Sequence, residues 1–482
     1  MKFQHNEKSF LQRALAAALI LVLLLAILPA RAVDSEETYI VSYKDEAVQT
    51  MEDDGLPFDV VDRTELECLL ADDLVAWYEE DGCATLLDPE PEADLLGSLS
   101  PYYADIQWSL RLIGADAAFE KNYLGQGVRV GVIDSGVAEH ADLRGNLLQG
   151  HNYTLGASDP NDTTDQFGHG TKVAGLIAAS GSTGYIGAAP AAWIVPLKCT
   201  DSKTVRISTI CEAIYGGIDD YHCDVLNLSL GTEKEYQSLR EAVEYAEAQG
   251  VVVVSAGGNG GTAARFYPAG FESVIGVGAV DRSGYVYYRS NHNDSIFLTA
   301  PGVNVRSTYY LGGYISDTGT SFSAPQVSGA AAVLMGMDGS LLPCEVRDLL
   351  KQSAKDQLPE GYDEYYGYGI LDVGGCVTAL EERKTEQSVP CAFLPLAGVA
   401  TAVRNYTEET CDCRYILAQY GESGQCLSVT ARDLIIPPGE AVTLEPVAQD
   451  QIIVQYLCDK DTMAPLAVER RTPASVGELN RP

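Results

Sequence analysis

Three short stretches of this 482-residue chain set residues capable of nucleophilic chemistry beside glycine. Val132-Ile133-Asp134-Ser135-Gly136 places a carboxylate directly after an apolar run. Gly168-His169-Gly170-Thr171 places an imidazole between two glycines, and Gly319-Thr320-Ser321 opens an alanine-rich run that continues through Met335. A serine hydroxyl is a weak nucleophile until a neighbouring base takes its proton, and that base needs a third group to fix its tautomer. Ser321, His169 and Asp134 are candidates for those three roles. Of the six histidines only His169 is flanked by glycine on both sides, which leaves its ring open to a substrate. Ser321 starts a predicted helix, with Pro325 tolerated in the first turn. The amino end of that helix offers unpaired N–H groups and a positive dipole, which suit an oxyanion. Asn259, in Ser255-Ala256-Gly257-Gly258-Asn259-Gly260, follows the apolar run 251–254 and supplies a second donor. Each signal alone describes a cap or a turn. Four in one domain point to a site.

The elements that must position these residues follow from periodicity. Runs 128–133, 193–197, 224–230 and 251–254 are largely apolar and predict buried strands. Segments 171–180, 208–219 and 235–249 carry helical spacing, the last stopped by Gly250. Buried strands alternating with helices predict an α/β domain, a parallel sheet covered on both faces. Functional groups in such sheets gather beyond the carboxyl ends of the strands, where Asp134 stands.

Composition bounds the rest. The net charge of −36 is uneven: positions 34–94 hold 21 Asp and Glu against Lys44 and Arg63. That acidity argues against nucleic acid or an anionic membrane as partner. Residues 1–32 have a basic start, an apolar core at 14–28 and Ala30-Arg31-Ala32, the pattern of a signal peptide. No second apolar run is long enough to span a membrane, so a secreted or cell-envelope protein is expected. Export permits disulfides among the twelve cysteines, whose pairing the sequence leaves open. Residues 33–104 predict a small acidic α+β unit, with strands near 37–43 and 73–87 and a flexible linker at 97–101. Its place suggests a removable pro-segment. Residues 105–383 form the α/β domain. Residues 384–482 predict a charged linker over 381–388 and a small all-β domain, with strands at 414–420, 425–430, 441–444 and 451–456 and a disordered end.

The stretches around Asp134, His169, Asn259 and Ser321 resemble the signature blocks of the subtilisin-like serine proteases, in that family's order. His140-Ala141-Asp142-Leu143 is close to a further family motif, and Gly367-Tyr368-Gly369-Ile370-Leu371-Asp372 resembles the block that closes the catalytic domain. The resemblance covers about 105–380. It implies an Asp134–His169–Ser321 triad acting through an acyl-enzyme, with Asn259 and the Ser321 backbone N–H as oxyanion hole. It also implies substrate binding by Ser229-Leu230-Gly231, as a strand edge pairing with an extended peptide, and by Ala256-Gly257-Gly258 as a pocket wall. Protein or peptide substrates follow, with the acidic segment as an intramolecular inhibitor. The chemistry needs no cofactor; structural calcium is a family habit, with Asp142 matching one ligand and no site placed.

Phe322, Ser323, Gln326 and Lys172 depart from the family's usual methionine, alanine, histidine and histidine. They bear on packing and pocket shape rather than on the triad. Phe266, just before Tyr267-Pro268, predicts a shallower pocket for the residue preceding the scissile bond. The alternative to a self-inhibited secreted endopeptidase is a catalytically silent relative used for binding. A binding module has no physical need for all four site residues.

Overall fold

The computed structural model describes residues 37–44, 56–71, 74–87, 107–386, 391–395, 401–405, 410–420, 426–444, 452–459 and 465–471. The expected signal peptide, the linker at 97–101 and the final residues lie outside these. The described residues up to Cys376 form one compact unit and those from Val377 onward a second.

The first unit opens with β1 (Thr38–Tyr43), β2 (Asp59–Asp62), α1 (Arg63–Ala71) and β3 (Val75–Glu80). The three strands make an antiparallel sheet in the order β2-β1-β3. Next come β4 (Cys83–Leu86), α2 (Trp108–Leu112), α3 (Ala115–Glu120), β5 (Arg129–Asp134), β6 (His151–Asn152), α4 (His169–Ala178), β7 (Trp193–Lys198) and β8 (Thr204–Arg206). Then follow α5 (Ile207–Asp219), β9 (Val225–Leu228), β10 (Leu230–Gly231), α6 (Gln237–Ala248), β11 (Val252–Ala256), β12 (Val274–Val280) and β13 (Leu298–Pro301). The hairpin β14 (Val305–Thr308) and β15 (Tyr314–Asp317) leads into α7 (Thr320–Met337), and α8 (Pro343–Ser353) and α9 (Val373–Glu386) follow.

Seven strands form a sheet in the order β13-β12-β11-β9-β5-β7-β6, parallel at every pairing. Parallel pairing needs crossovers, and α4 to α6 provide them, so both faces are covered. One alternate set of strand residues, including Ile133, Val195, Leu197, Leu226, Leu228 and Val253, packs with Ile210, Ile214, Leu239 and Val243 of α5 and α6. The intervening set, including Val130, Val132, Ile194, Val225 and Val252, is equally buried. Double burial explains why these strands read as largely apolar runs. Ile40, Phe58, Ala84 and Leu86 of the N-terminal segment join the same core as α5 and α6.

The second unit contains β16 (Cys391–Pro395), β17 (Thr401–Asn405), β18 (Cys411–Tyr420), β19 (Cys426–Ile436), β20 (Ala441–Thr443), β21 (Ile452–Asp459) and β22 (Pro465–Arg471). They make two antiparallel sheets, β16-β17-β20 and β19-β18-β21-β22, over a core of Val403, Cys413, Tyr415, Leu434 and Ile436.

One expectation is corrected. The charged run predicted as a linker over 381–388 is helical through Glu386, as the last turns of α9. Charge pointed to a linker, but Leu380, Glu381, Glu382, Arg383 and Lys384 are all good helix formers and Leu380 is buried. Among the described residues Cys68, Cys83, Cys199, Cys211, Cys223, Cys344 and Cys376 are free thiols.

Candidate active site

Asp134 ends β5 with no exposure, in register with Lys198 at the end of β7. A buried carboxylate has to be met by donors. Its oxygens lie 2.8 and 2.9 Å from Nδ1 of His169, and Oδ1 accepts the Ser135 N–H at 2.7 Å. His169 is the first residue of α4 and is also fully buried. Gly170 is required here by close approach: a Cβ would lie 2.1 Å from the Gly136 carbonyl oxygen and 3.2 Å from the Asp134 Cβ. The glycines beside His169 therefore let α4 settle against the end of β5.

Ser321 lies in the first turn of α7 and its hydroxyl donates, at 2.8 Å, to the Leu87 carbonyl oxygen. The same oxygen accepts Nδ2–H of Asn259 at 3.3 Å. Asn259 is locked in that orientation because its Oδ1 accepts both the backbone N–H and the hydroxyl of Thr320, at 2.9 and 3.0 Å. The Leu87 carbonyl thus sits where a nucleophile, an amide donor and the amino end of a helix converge. That is the arrangement needed to attack a carbonyl carbon and hold the resulting oxyanion.

The chain around Leu87 is held as an extended strand. β4 pairs antiparallel with β10, Leu86 opposite Leu230 and Thr85 opposite Gly231, and the Leu87 N–H donates to the Ser229 carbonyl at 3.3 Å. On its other side β4 pairs antiparallel with β8, Cys83 opposite Arg206 and Thr85 opposite Thr204. The predicted edge at 229–231 is therefore one of two. The second, at 204–206, carried no glycine motif to advertise it. Ser229 Oγ donates to the Ser321 carbonyl at 3.1 Å, tying that edge to the helix. Ala256 ends β11, Gly257 N–H donates to Val277 at 2.8 Å and Gly258 N–H to the Thr320 hydroxyl at 3.2 Å. Phe266 reaches both walls: a Cβ on Gly231 would meet its ring at 2.5 Å, and one on Gly258 at 3.2 Å. A cavity of about 190 Å³ beside Leu87 is lined by Phe266, Asn259, Gly260, Glu233 and Arg289 among others.

The departing residues form a connected set. Ser323 donates to the Ala300 carbonyl at 2.9 Å, and Gln326 to the Pro301 carbonyl at 2.6 Å, fastening α7 to β13. Lys172 pairs with Asp317 at 2.8 Å and its ammonium lies 5.5 Å over the Phe322 ring. Phe322 meets the His169 ring edge-on, 6.1 Å between centroids.

Sequence reasoning missed Asp165. It accepts five hydrogen bonds: from the hydroxyl of Ser135, the N–H groups of Phe167, Gly168 and Thr171, and the hydroxyl of Thr171. Ser135 in turn accepts Gly170 N–H at 2.9 Å. Asp165 therefore joins the end of β5 to the start of α4, the two elements that carry Asp134 and His169. Its signal was an Asp just ahead of a helix start, which is too common to single out. Burial pushes its pKa up; donors from Thr171 and Gly168 oppose this, and the Asp134 charge adds to the rise. A raised folded pKa means this group's stabilising share is full below its unfolded value and is lost as pH rises through the folded value. Asp165→Asn should turn one acceptor into a donor facing Thr171 or Gly168. It is expected to cost about 1–3 kcal/mol in chemical unfolding and to lower kcat roughly 10- to 100-fold with KM little changed. The stability gap should be widest in acid and narrow as pH rises from about 3.9 through the raised folded pKa.

Comparison with known proteins agrees with this geometry. Residues 125–369 match the model of the Subtilase family. The chain is 36% identical to subtilisin Savinase of Lederbergia lenta over 270 residues, 55% of this chain and 97% of that protein. It is 37% identical to subtilisin DY of Bacillus licheniformis over 277 residues, 56% of this chain and 97% of that protein. A thermophilic serine proteinase of Bacillus sp. strain AK1 is 35% identical over 281 residues, 58% and 68% of the two chains. With a matching parallel sheet and a matching family model, this chain belongs to the subtilase family and is a subtilisin-like serine protease.

Proposed function

We propose that this protein is a secreted serine endopeptidase made as a self-inhibited precursor, with Asp134, His169 and Ser321 as its triad. The observation that carries the reading is Leu87, whose carbonyl oxygen accepts from both Ser321 and Asn259 while its strand is paired on both sides. Residues up to Leu87 then act as the pro-segment and occupy the cleft in the manner of a substrate. The domain order that this implies is a signal peptide over 1–32, a pro-segment, a catalytic domain to about 383 and a β-rich C-terminal domain. Because the carbonyl that faces Ser321 belongs to Leu87, this reading puts the cleavage after Leu87, whereas the sequence led to an expected boundary near 104.

Each residue has a defined task. His169 takes the Ser321 proton as Oγ attacks the carbonyl carbon, and Asp134, on Nδ1, holds the ring in the tautomer that frees Nε2. The negative charge formed on the carbonyl oxygen is met by Asn259 Nδ2–H and the Ser321 N–H. In subtilisin, the reference case, losing one such donor costs about 10²–10³ in kcat. His169 then gives the proton to the leaving amine, and water, activated by the same base, hydrolyses the acyl-enzyme. No step needs a cofactor. The strand edges 229–231 and 204–206 supply affinity through backbone pairing, which any extended peptide can make.

Two carboxylates support the role of the acidic segment. Glu79 accepts the N–H groups of Gln237 and Ser238 at 3.0 and 2.9 Å, at the start of α6. Asp81 accepts the Ser208 N–H and hydroxyl at 3.1 and 2.9 Å, at the start of α5, and pairs with Arg206. Negative charge at helix amino ends is favourable, and these caps explain part of the segment's acidity.

Ser321→Ala should lower kcat on an unfolded protein substrate by roughly 10⁶, the loss recorded for a subtilisin, and should abolish labelling by a serine-directed fluorophosphonate. Equal hydrolysis by wild type and Ser321→Ala sinks the reading. Phe266, spanning the two walls, should restrict the residue before the scissile bond to leucine size. A peptide library should show leucine preferred over phenylalanine, and Phe266→Gly should raise the relative kcat/KM for phenylalanine by about 10- to 100-fold. A wild-type preference for bulky aromatics would contradict that pocket shape.

A further inference from the structure

Asp142 stands where the family resemblance implies a calcium ligand, and its surroundings do not fit a cation. Calcium takes 6–8 oxygen lone pairs at about 2.3–2.6 Å. The fully buried Asp142 carboxylate instead faces protons. Its Oδ1 accepts the Ser182 hydroxyl at 2.8 Å and the Thr183 N–H at 2.6 Å, and its Oδ2 accepts the Tyr314 hydroxyl. Because the single Tyr314 proton goes to Asp142, the Thr183 hydroxyl donates to the Tyr314 oxygen, at 2.6 Å. The Arg306 guanidinium lies 4.8 Å over the Tyr314 ring. Residues 180–186 contain no carboxylate.

The backbone contacts continue the pattern. Ser180 N–H donates to the Asp142 carbonyl at 2.8 Å, and Asp142 N–H to Nδ1 of His140 at 3.2 Å. His140 Nε2 donates to the Gly313 carbonyl at 2.9 Å, and its ring meets Tyr314 edge-on at 5.4 Å. Three chain segments therefore converge on Asp142. Asp142 itself follows β5, which ends in Asp134. Ser182 and Thr183 follow α4, which begins at His169. Tyr314 opens β15, which runs into the helix carrying Ser321.

We propose that Asp142, Ser182, Thr183 and Tyr314 form a metal-free clamp that fastens together the three segments bearing Asp134, His169 and Ser321. Protein donors do there what an ion would otherwise do. Burial pushes the Asp142 carboxyl up, but hydrogen bonds from Tyr314, Thr183 and Ser182 outweigh it and leave its pKa below the usual range, in keeping with a carboxylate satisfied by donors.

The test is thermal unfolding of the full-length Ser321→Ala chain, which removes self-digestion and does not depend on the protease reading. The melting temperature should be the same in EDTA and in millimolar calcium. A site filled at about a hundred times its Kd would raise it by roughly 5–10 °C. Tyr314→Phe, added to that chain, keeps the ring but deletes the donor, and should lower the melting temperature by roughly 3–10 °C in both media. A calcium-dependent rise that Asp142→Asn abolishes overturns the proposal, as does a Tyr314→Phe chain that melts like its parent. A rise that Asp142→Asn retains puts the ion elsewhere and upholds the clamp.

Discussion

The buried hydrogen bond between Asp134 and His169 is the constraint from which the site is built. An ionised carboxylate with no exposure is tolerated only when donors surround it, since an unpaired one would cost several kcal/mol. Here the donors are the His169 ring and the Ser135 N–H. Bringing the ring that close requires α4 to begin against the end of β5, which requires glycine at 170. It also requires the loop before α4 to be fastened, which Asp165 does by gathering Ser135, Gly168 and Thr171. The Phe322 ring, with the Lys172 ammonium over it, then packs edge-on against the imidazole. One contact at the carboxyl end of β5 thus dictates residue types across several elements.

The N-terminal segment answers a second constraint. A strand laid between two free edges satisfies backbone groups that would otherwise face water, and β4 does this for both 230–231 and 204–206. Its acidic residues meet the amino ends of α5 and α6, so its charge and its strand pairing serve the same docking. In the proposed reading this is also its weakness as a permanent partner. A segment that mimics a substrate so closely delivers its own Leu87 carbonyl to Ser321.

Much of this was legible in the chain. The α/β class followed from runs that are largely apolar because both sheet faces are buried, and β5, β7 and β11 lie within a residue or two of the predicted runs. The site residues stood out because close packing around them demands glycine, and glycine is visible in sequence. What escaped notice lacked such a marker. Asp165 works through five bonds that exist only once α4 has docked. The edge at 204–206 is an ordinary polar–apolar stretch. Leu87 gains its meaning from a pairing partner more than a hundred residues away. The tail of α9 was misread because a run of Glu, Arg and Lys suits a linker and a helix equally well.

The central claim is that Ser321 acts on the bond its own hydroxyl already faces. It is tested most directly by expressing wild type beside Ser321→Ala and sequencing the amino termini of the products. Wild type should yield a chain beginning at Asp88 while Ser321→Ala remains joined there. Identical processing of both, or a new amino terminus near residue 104 instead of at Asp88, would contradict the account.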